Sequence, residues 1–390
     1  MAPEIENRVA APGAGANRTV ADVVAASLAR HGVEIVFGQS IPTQLYLATP
    51  DYDIRQLTIR TEKAGAMMAD GYARVSGKVA VVTSIAGPGA ALLVPGLGEA
   101  LKASIPVVAL IQDTPRAHTD RNHAQDIDHI DLLRAVTKLV RRVERADRVE
   151  DYLDLAFATA ASGRPGPVAL LLPGDLFDEA APASEGRVAT LGAYPLDRTQ
   201  ADPARVAEAA ALLADAESPL VVAGGGVHVS GAHEELAWLQ DKASLPVATT
   251  MMGKGAVDES HPLSLGVVGY AMGRRAPARA HAATIAGADL VLLVGNRTNQ
   301  NGTDSWRLFP EGARFIHLDI DGGEVGRNYE ALRLVGDAKL TLRALLGALE
   351  GAGLEKRRRA RARLEAEIAA GREAHVAAIA AVSKIGRAHV

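Results

Sequence analysis

The sequence predicts an α/β protein made of two doubly wound parallel-sheet domains, and three observations carry that reading. The chain has 390 residues, too many for a single ordinary domain of roughly 150. Its strands read as continuous apolar runs alternating with segments of helical period, the pattern of a parallel sheet covered on both faces. Between two such series, residues 173–202 lose periodicity and gather Gly, Pro and acidic side chains, as a linker does.

Taken in order, Val20, Val23, Val24 and Leu28 have helical spacing, Asp22 stands three residues after the candidate cap Thr19, and Gly32 can end that helix. A strand is predicted over 33–37, a helix over 62–75, a strand over 79–83 and a helix over 89–102. A strand over 107–111, a helix over 149–161 and a strand over 168–172 complete the first series. The second begins with a helix over 203–214 and a strand over 220–222. It continues through strands 246–249, 290–294 and 315–320 and closes near Leu349. The predicted bounds are therefore 18–182 and 203–350, with 183–202 as linker and an Ala/Gly/Pro-rich flexible stretch over 1–17. Residues 351–384 read as a charged linker helix whose basic run, 356–363, is a solvated face. The last six residues, 385–390, read Ile-Gly-Arg-Ala-His-Val, like the translation of a sequencing adapter, and predict that the gene continues.

Composition narrows the function. Hydrophobic residues at 48% and charged residues at 23% are those of an ordinary globular protein with material for buried cores. A net charge of −4 gives no footprint for nucleic acid or anionic lipid. The absence of cysteine excludes disulfides, thiolate metal sites and thiol nucleophiles. The first 17 residues lack the apolar core of a signal peptide, and no later apolar run reaches ~18 residues, so a cytoplasmic protein is expected.

The informative segment is 59–74, Ile-Arg-Thr-Glu-Lys-Ala-Gly-Ala-Met-Met-Ala-Asp-Gly-Tyr-Ala-Arg, in which Glu62 stands at a strand-to-helix junction. Carboxyl ends of strands are where ligands bind in open parallel sheets. On position alone, Glu62 is equally a first-turn carboxylate favoured by the helix dipole. Its company changes that: 83–89 (Thr-Ser-Ile-Ala-Gly-Pro-Gly), 104–106 (Ser-Ile-Pro) and 163–167 (Gly-Arg-Pro-Gly-Pro) follow in order. With these motifs the chain resembles the thiamine diphosphate-dependent enzymes, and in particular the acetolactate synthase large subunit. The resemblance implies a pyrimidine-binding first domain and a Rossmann-like middle domain. It implies that Glu62 bonds the cofactor's pyrimidine nitrogen and favours the imino tautomer that takes the thiazolium proton, in a shielded site. Gly87, Pro88 and Gly89 allow close backbone approach at a helix start, or form a tight turn without a ligand. Gln125 and Lys138 match family positions beside the reacting centre. Departures are Ala124 where the acetolactate synthases carry Phe, Thr61 where His is frequent, and Leu92 where Asn is frequent; His123 is as readily a surface residue.

In the second domain, a strand runs into Gly224, Gly225 and Gly226, a weak signal for phosphate contact without a Gly-x-Gly-x-x-Gly pattern. Together with 249–255 (Thr-Thr-Met-Met-Gly-Lys-Gly), His261, Pro262, Gly269 and 317–321 (His-Leu-Asp-Ile-Asp), it resembles the middle domain that holds FAD in acetolactate synthases. Matching positions then imply that Arg164, Gly224 to Gly226, Thr250, Met251, Met252, Asp319, Ile320 and Asp337 line that site. The stretch 298–301, Thr-Asn-Gln-Asn, departs from the family, and FAD, ADP or no nucleotide are all open.

Family members hold Mg²⁺ and the cofactor's diphosphate on a third domain, whose Gly-Asp-Gly and Asn-Asn pattern has no match here. No metal ligand is therefore assigned, and the chain is expected to lack the diphosphate-binding domain and to be inactive alone. The resemblance further implies a 2-oxo acid substrate, pyruvate converted to 2-acetolactate in branched-chain amino-acid biosynthesis, a homodimer or homotetramer, and a regulatory subunit. Two alternatives stand beside it: another 2-oxo-acid decarboxylase or carboligase, and a nucleotide-binding module without catalysis.

Overall fold

Residues 18–180 and 187–387 are described by the computed structural model, which divides between Asp197 and Arg198 into two units. The flexible stretch expected over 1–17 lies outside the described residues, as do residues 183–186 of the expected linker and 388–390 of the adapter-like tail.

The first unit opens with α1 (Val20–Arg30), where Asp22 Oδ2 accepts the Thr19 backbone N–H at 2.8 Å and closes the expected cap. Then come β1 (Ile35–Gly38), α2 (Thr43–Ala48), β2 (Arg55–Thr58), α3 (Glu62–Ser76), β3 (Ala80–Ile85), α4 (Pro88–Ala103) and β4 (Val107–Asp113). α5 (His129–Arg134), β5 (Leu139–Arg142), α6 (Val149–Ala161) and β6 (Val168–Pro173) complete it. All six strands are parallel, in the order β2-β1-β3-β4-β6-β5. Along β4 the pleat sends Val108 and Leu110 to a core with α1 and α6, and Val107, Ala109 and Ile111 to one with α3 and α4. α3 and α4 meet closely: a methyl at Gly96 would stand 2.4 Å from Ala66 Cβ.

The second unit runs α7 (Pro203–Asp215), β7 (Pro219–Ala223), α8 (Gly226–Ser230), α9 (His233–Lys242), β8 (Val247–Thr249), β9 (Ser264–Val267) and α10 (Ala282–Ala286). β10 (Leu290–Val294), β11 (Arg314–Asp319), β12 (Leu332–Val335), α11 (Ala338–Ala352) and α12 (Glu355–Arg387) follow. Its parallel order, β12-β11-β10-β7-β8-β9, reverses direction between β7 and β10. Leu290, Leu292 and Val294 of β10 face the core under α7, α9 and α11, and Val291 and Leu293 face the opposite one.

Two expectations need correction. Residues 187–197 are not a free linker: Val79 N–H donates to Gly192 O, Tyr194 N–H to Gly77 O, and Leu191, Tyr194 and Leu196 pack on the first core. Nor is the charged helix a solvated connector. α12 lies along the second unit with Ile368 only 1% exposed in its core. Arg361 Nη1 and Nη2 reach Asp241 at 2.8 Å, and Arg372 Nη2 donates to the carbonyls of His261 and Ser264 at 2.7 Å. Helix α12, charged along its length, uses its arginine heads to satisfy carbonyls at strand and helix ends. Among the described residues no helix is long and apolar enough to cross a membrane.

Candidate active site

In the first unit the carboxyl ends of β1, β2 and β3 converge where strand order turns back, the usual ligand edge of such a sheet. Thr61 caps α3, its Oγ1 accepting Ala64 N–H at 3.3 Å, which puts Glu62 at the first helical position. The Glu62 side chain turns inward and is only 8% exposed. Among the described residues its carboxylate has no hydrogen bond or ion pair, and its oxygens still reach solvent while the rest of the side chain is buried, which leaves the carboxylate available to a ligand.

Facing it is the Gly-Pro-Gly turn. A methyl at Gly89 would stand 3.1 Å from Glu62 Oε1 and 2.6 Å from Ser84 Oγ, so only glycine lets this turn pack directly beside that carboxylate. Gly87 caps α4 at φ 58°, ψ −116°, a conformation for glycine alone. A methyl there would meet Gln125 O at 2.5 Å, so the Gln125 backbone lies directly on the turn. Pro88 takes the first position of α4, where its missing N–H costs nothing. The structure thus brings Glu62, Gly87, Pro88, Gly89 and Gln125 into one group.

Sequence reasoning missed what holds this turn. Gly87 N–H donates to His129 Nε2 at 2.7 Å, and His129 Nδ1 lies 3.0 Å from Asp113 Oδ1. Arg142 Nε donates to Asp113 Oδ2 at 2.7 Å and its Nη2 to Thr114 O at 2.8 Å. Burial alone would push the Asp113 carboxyl up, but His129 and Arg142 together hold it below the usual carboxylate range. Nothing in residue spacing marks His129, since its partners come from the ends of β4, β5 and the turn after β3.

Lys138 and Arg164 do not join this group within the chain. Both precede strands, β5 and β6 respectively, and so lie at the opposite edge of the parallel sheet from Glu62. Lys138 Nζ donates to the carbonyls of Thr159, Ser162 at 3.0 Å and Arg164 at 2.8 Å, capping the end of α6. Arg164 Nε donates to Ser104 Oγ at 2.9 Å.

In the second unit the glycine triplet stands at the reversal of strand order, after β7 and against the end of β10. A methyl at Gly224 would lie 2.3 Å from Gly295 O and one at Gly226 would lie 2.7 Å from Gly295 Cα, so these glycines let two strand ends pack. Their amides donate to Val294 O and Gly295 O. Gly225 lies beside Met252, while Met251 is 62% exposed and Met252 46% exposed. Thr250 is buried and its Oγ1 accepts Gly253 N–H at 3.2 Å. Asp319, buried at the end of β11, accepts Asp321 N–H at 3.0 Å, and Ile320 follows half-buried. Asp337 caps α11 by accepting Leu340 N–H at 3.1 Å, and it also receives Ser230 Oγ–H and Arg198 Nη1–H, both at 2.8 Å. Its carboxylate is occupied by the fold. Two buried polar atoms at these strand ends, Thr249 Oγ1 and Asn296 Nδ2, have no partner.

Two family descriptions match the chain, the N-terminal TPP binding domain of thiamine pyrophosphate enzymes over residues 18–132 and their central domain over 206–345. A probable acetolactate synthase large subunit of Methanocaldococcus jannaschii is 38% identical over 336 residues, 84% of this chain and 56% of that relative. An acetolactate synthase of Arthrospira platensis is 36% identical over 82% of the chain and 56% of its own length. A chloroplastic acetolactate synthase of Arabidopsis thaliana is 33% identical over 85% and 49%. The chain spans about half the length of the curated relatives it matches.

Proposed function

Because this chain belongs to the thiamine pyrophosphate enzymes, carrying their N-terminal and central domains in order, we propose that it supplies the pyrimidine end of an acetolactate synthase-like active site. The reaction is decarboxylation of a 2-oxo acid and joining of the remainder to a second 2-oxo acid, as in the synthesis of 2-acetolactate from pyruvate. The observation that carries this reading is the unpartnered Glu62 carboxylate beside Gly89, on a side chain that is only 8% exposed yet whose oxygens still reach solvent. These residues fit an aminopyrimidine edge, which offers a ring nitrogen for a proton shared with a carboxyl group. Thiamine diphosphate, when bound, supplies a thiazolium carbon that adds to the substrate carbonyl and accepts the electron pair as carbon dioxide leaves. Glu62 holds the proton at the pyrimidine nitrogen, the Gly87–Gly89 turn excludes water from it, and Gln125 borders the entrance. Lys138, at the far sheet edge, takes no part in that proton transfer within one chain. Mg²⁺ and the diphosphate are held outside residues 18–387 in this reading, and the working enzyme is a cytoplasmic homodimer or homotetramer with a regulatory subunit.

A nuclear magnetic resonance titration of the ¹⁵N-labelled chain with thiamine diphosphate and Mg²⁺ tests the reading. Amides of Glu62, Gly87 and Gly89 are expected to shift with a dissociation constant in the millimolar range, since the charged anchor is supplied elsewhere. Glu62→Gln is expected to weaken the response at least tenfold. No shift at millimolar cofactor, or an equal response in the variant, rejects the assignment.

For the second unit we propose a nucleotide at the β7/β10 reversal, FAD foremost. Support comes from the unpartnered Thr249 Oγ1 and Asn296 Nδ2 and the exposed Met251 and Met252 beside Gly225. Purified protein is expected to bind added FAD with a flavin absorbance band. If ADP instead raises the melting temperature and no flavin is retained, the site is that of an ADP-binding relative.

A further inference from the structure

We propose that His129 is a positioning residue that holds the Gly87–Gly89 turn in place through one obligatory ring tautomer. A backbone N–H can only donate, so the 2.7 Å contact from Gly87 requires His129 Nε2 to be unprotonated. The ring proton then sits on Nδ1 and is donated to Asp113 Oδ1 at 3.0 Å. Arg142 bonds the other oxygen of Asp113 at 2.7 Å and keeps that carboxylate ionised and aimed at the ring. His129 and Asp113 are both buried, so water does not compete for either bond.

The consequence reaches Glu62. Gly87 adopts a backbone conformation closed to other residues, and the acceptor on His129 holds its N–H there. Two residues on, Gly89 lines the space beside Glu62 Oε1, and on the other side the Gln125 backbone rests on Gly87. Loss of the acceptor leaves a buried N–H unsatisfied, and the turn relaxes toward water at the expense of both contacts. Among the described residues no hydrogen bond joins His129 to Glu62, so it acts through the turn.

The test uses the ¹⁵N-labelled chain and two independent readouts. Without ligand, long-range proton–nitrogen correlation is expected to show His129 protonated on Nδ1 alone, with the Gly87 amide protected from exchange. His129→Phe keeps the ring's shape without the acceptor and is expected to speed Gly87 exchange at least tenfold, with Val81 and Ala109 in the core unchanged. His129→Gln returns an acceptor and is expected to restore most of that protection, which a purely space-filling role would not do. Should His129→Phe fail to fold, Asp113→Asn serves instead: an amide donor facing Nδ1 favours the opposite tautomer and is expected to release Gly87 in the same way. With thiamine diphosphate and Mg²⁺, the Gly89 response is expected to weaken at least threefold in His129→Phe. That part alone rests on the proposed cofactor reading, so a wild-type chain silent to thiamine diphosphate rejects that reading while exchange and tautomer still decide the role of His129. A proton on Nε2 in the wild type, or unchanged Gly87 exchange in the folded His129→Phe chain, overturns the proposal.

Discussion

Buried histidines do much of the local positioning in this chain. His31 Nδ1 accepts Leu191 N–H at 3.1 Å and its Nε2 faces Asp154 Oδ1 at 3.0 Å; His317 Nδ1 accepts Gly326 N–H at 3.1 Å and its Nε2 faces Asn296 O at 2.8 Å. Burial pushes both rings down from 6.5 to about 4. In the unfolded chain they protonate near their ordinary value, so between 6.5 and about 4 the unfolded state binds protons that the folded state refuses. Stability is therefore full above that window and falls as pH drops through it, by about 3 kcal/mol for each ring at the acid end. Urea denaturation at about pH 7 and pH 4.5 is expected to show a lower midpoint at the acid value, and His317→Gln is expected to flatten the difference for the second unit. Equal midpoints would contradict the neutral rings. Asp113 changes stability in the same direction at lower pH: its folded carboxyl is held below the usual carboxylate range, so its contribution is full above that range and is lost as pH falls through it.

Helix α12 is the element whose role departs furthest from its composition. Its arginines leave apolar contact to few side chains, chiefly Ile368, with Leu364 beside it. Ile368→Asp would bury an unpaired carboxylate and is expected to lower the stability of the second unit by about 3 kcal/mol or more, read by denaturant midpoint. An effect no larger than that of an exposed change such as Val376→Asp would show that the helix is not docked. In the first unit the close crossing of α3 and α4 makes the same kind of demand. Gly96→Val is expected to destabilise that unit by about 1–3 kcal/mol by forcing a branched side chain onto Ala66, and calorimetry of the variant checks it. Since Glu62 opens α3, the variant is also expected to weaken any response of Glu62 to thiamine diphosphate.

At the scale of the molecule, each unit has its own parallel sheet with a core on both faces. Residues 18–197 and 198–387, produced separately, are expected to fold and to melt cooperatively, as two-faced α/β sheets of this size do. A half that stays unfolded by circular dichroism would show that its core depends on the other. The boundary belongs at Asp197 because residues 187–197 bond to Gly77, Val79 and Ala161, contacts that a division drawn at 182 would remove.

The interior strands were legible because a strand buried on both faces must be apolar at every position, as in residues 107–111, 168–172 and 290–294. The edge strands β2, β5 and β12 were not, since Arg55, Arg141 and Arg333 interrupt the apolar pattern where one side of the strand meets solvent, and β9 was missed because it is only four residues long with a glycine within it. The Thr19 cap was local and could be read from spacing, whereas the cap at Thr61 was seen only in the structure. The site divided along the same line. Glu62 and the Gly-Pro-Gly turn stood out because their chemistry and backbone demands fall within short segments. Gln125 on the turn, Lys138 and Arg164 at the opposite edge, and the His129–Asp113–Arg142 chain were decided only by the tertiary structure. Those contacts join residues far apart in sequence at strand ends, and which ends become neighbours depends on strand order and direction, which local periodicity does not encode.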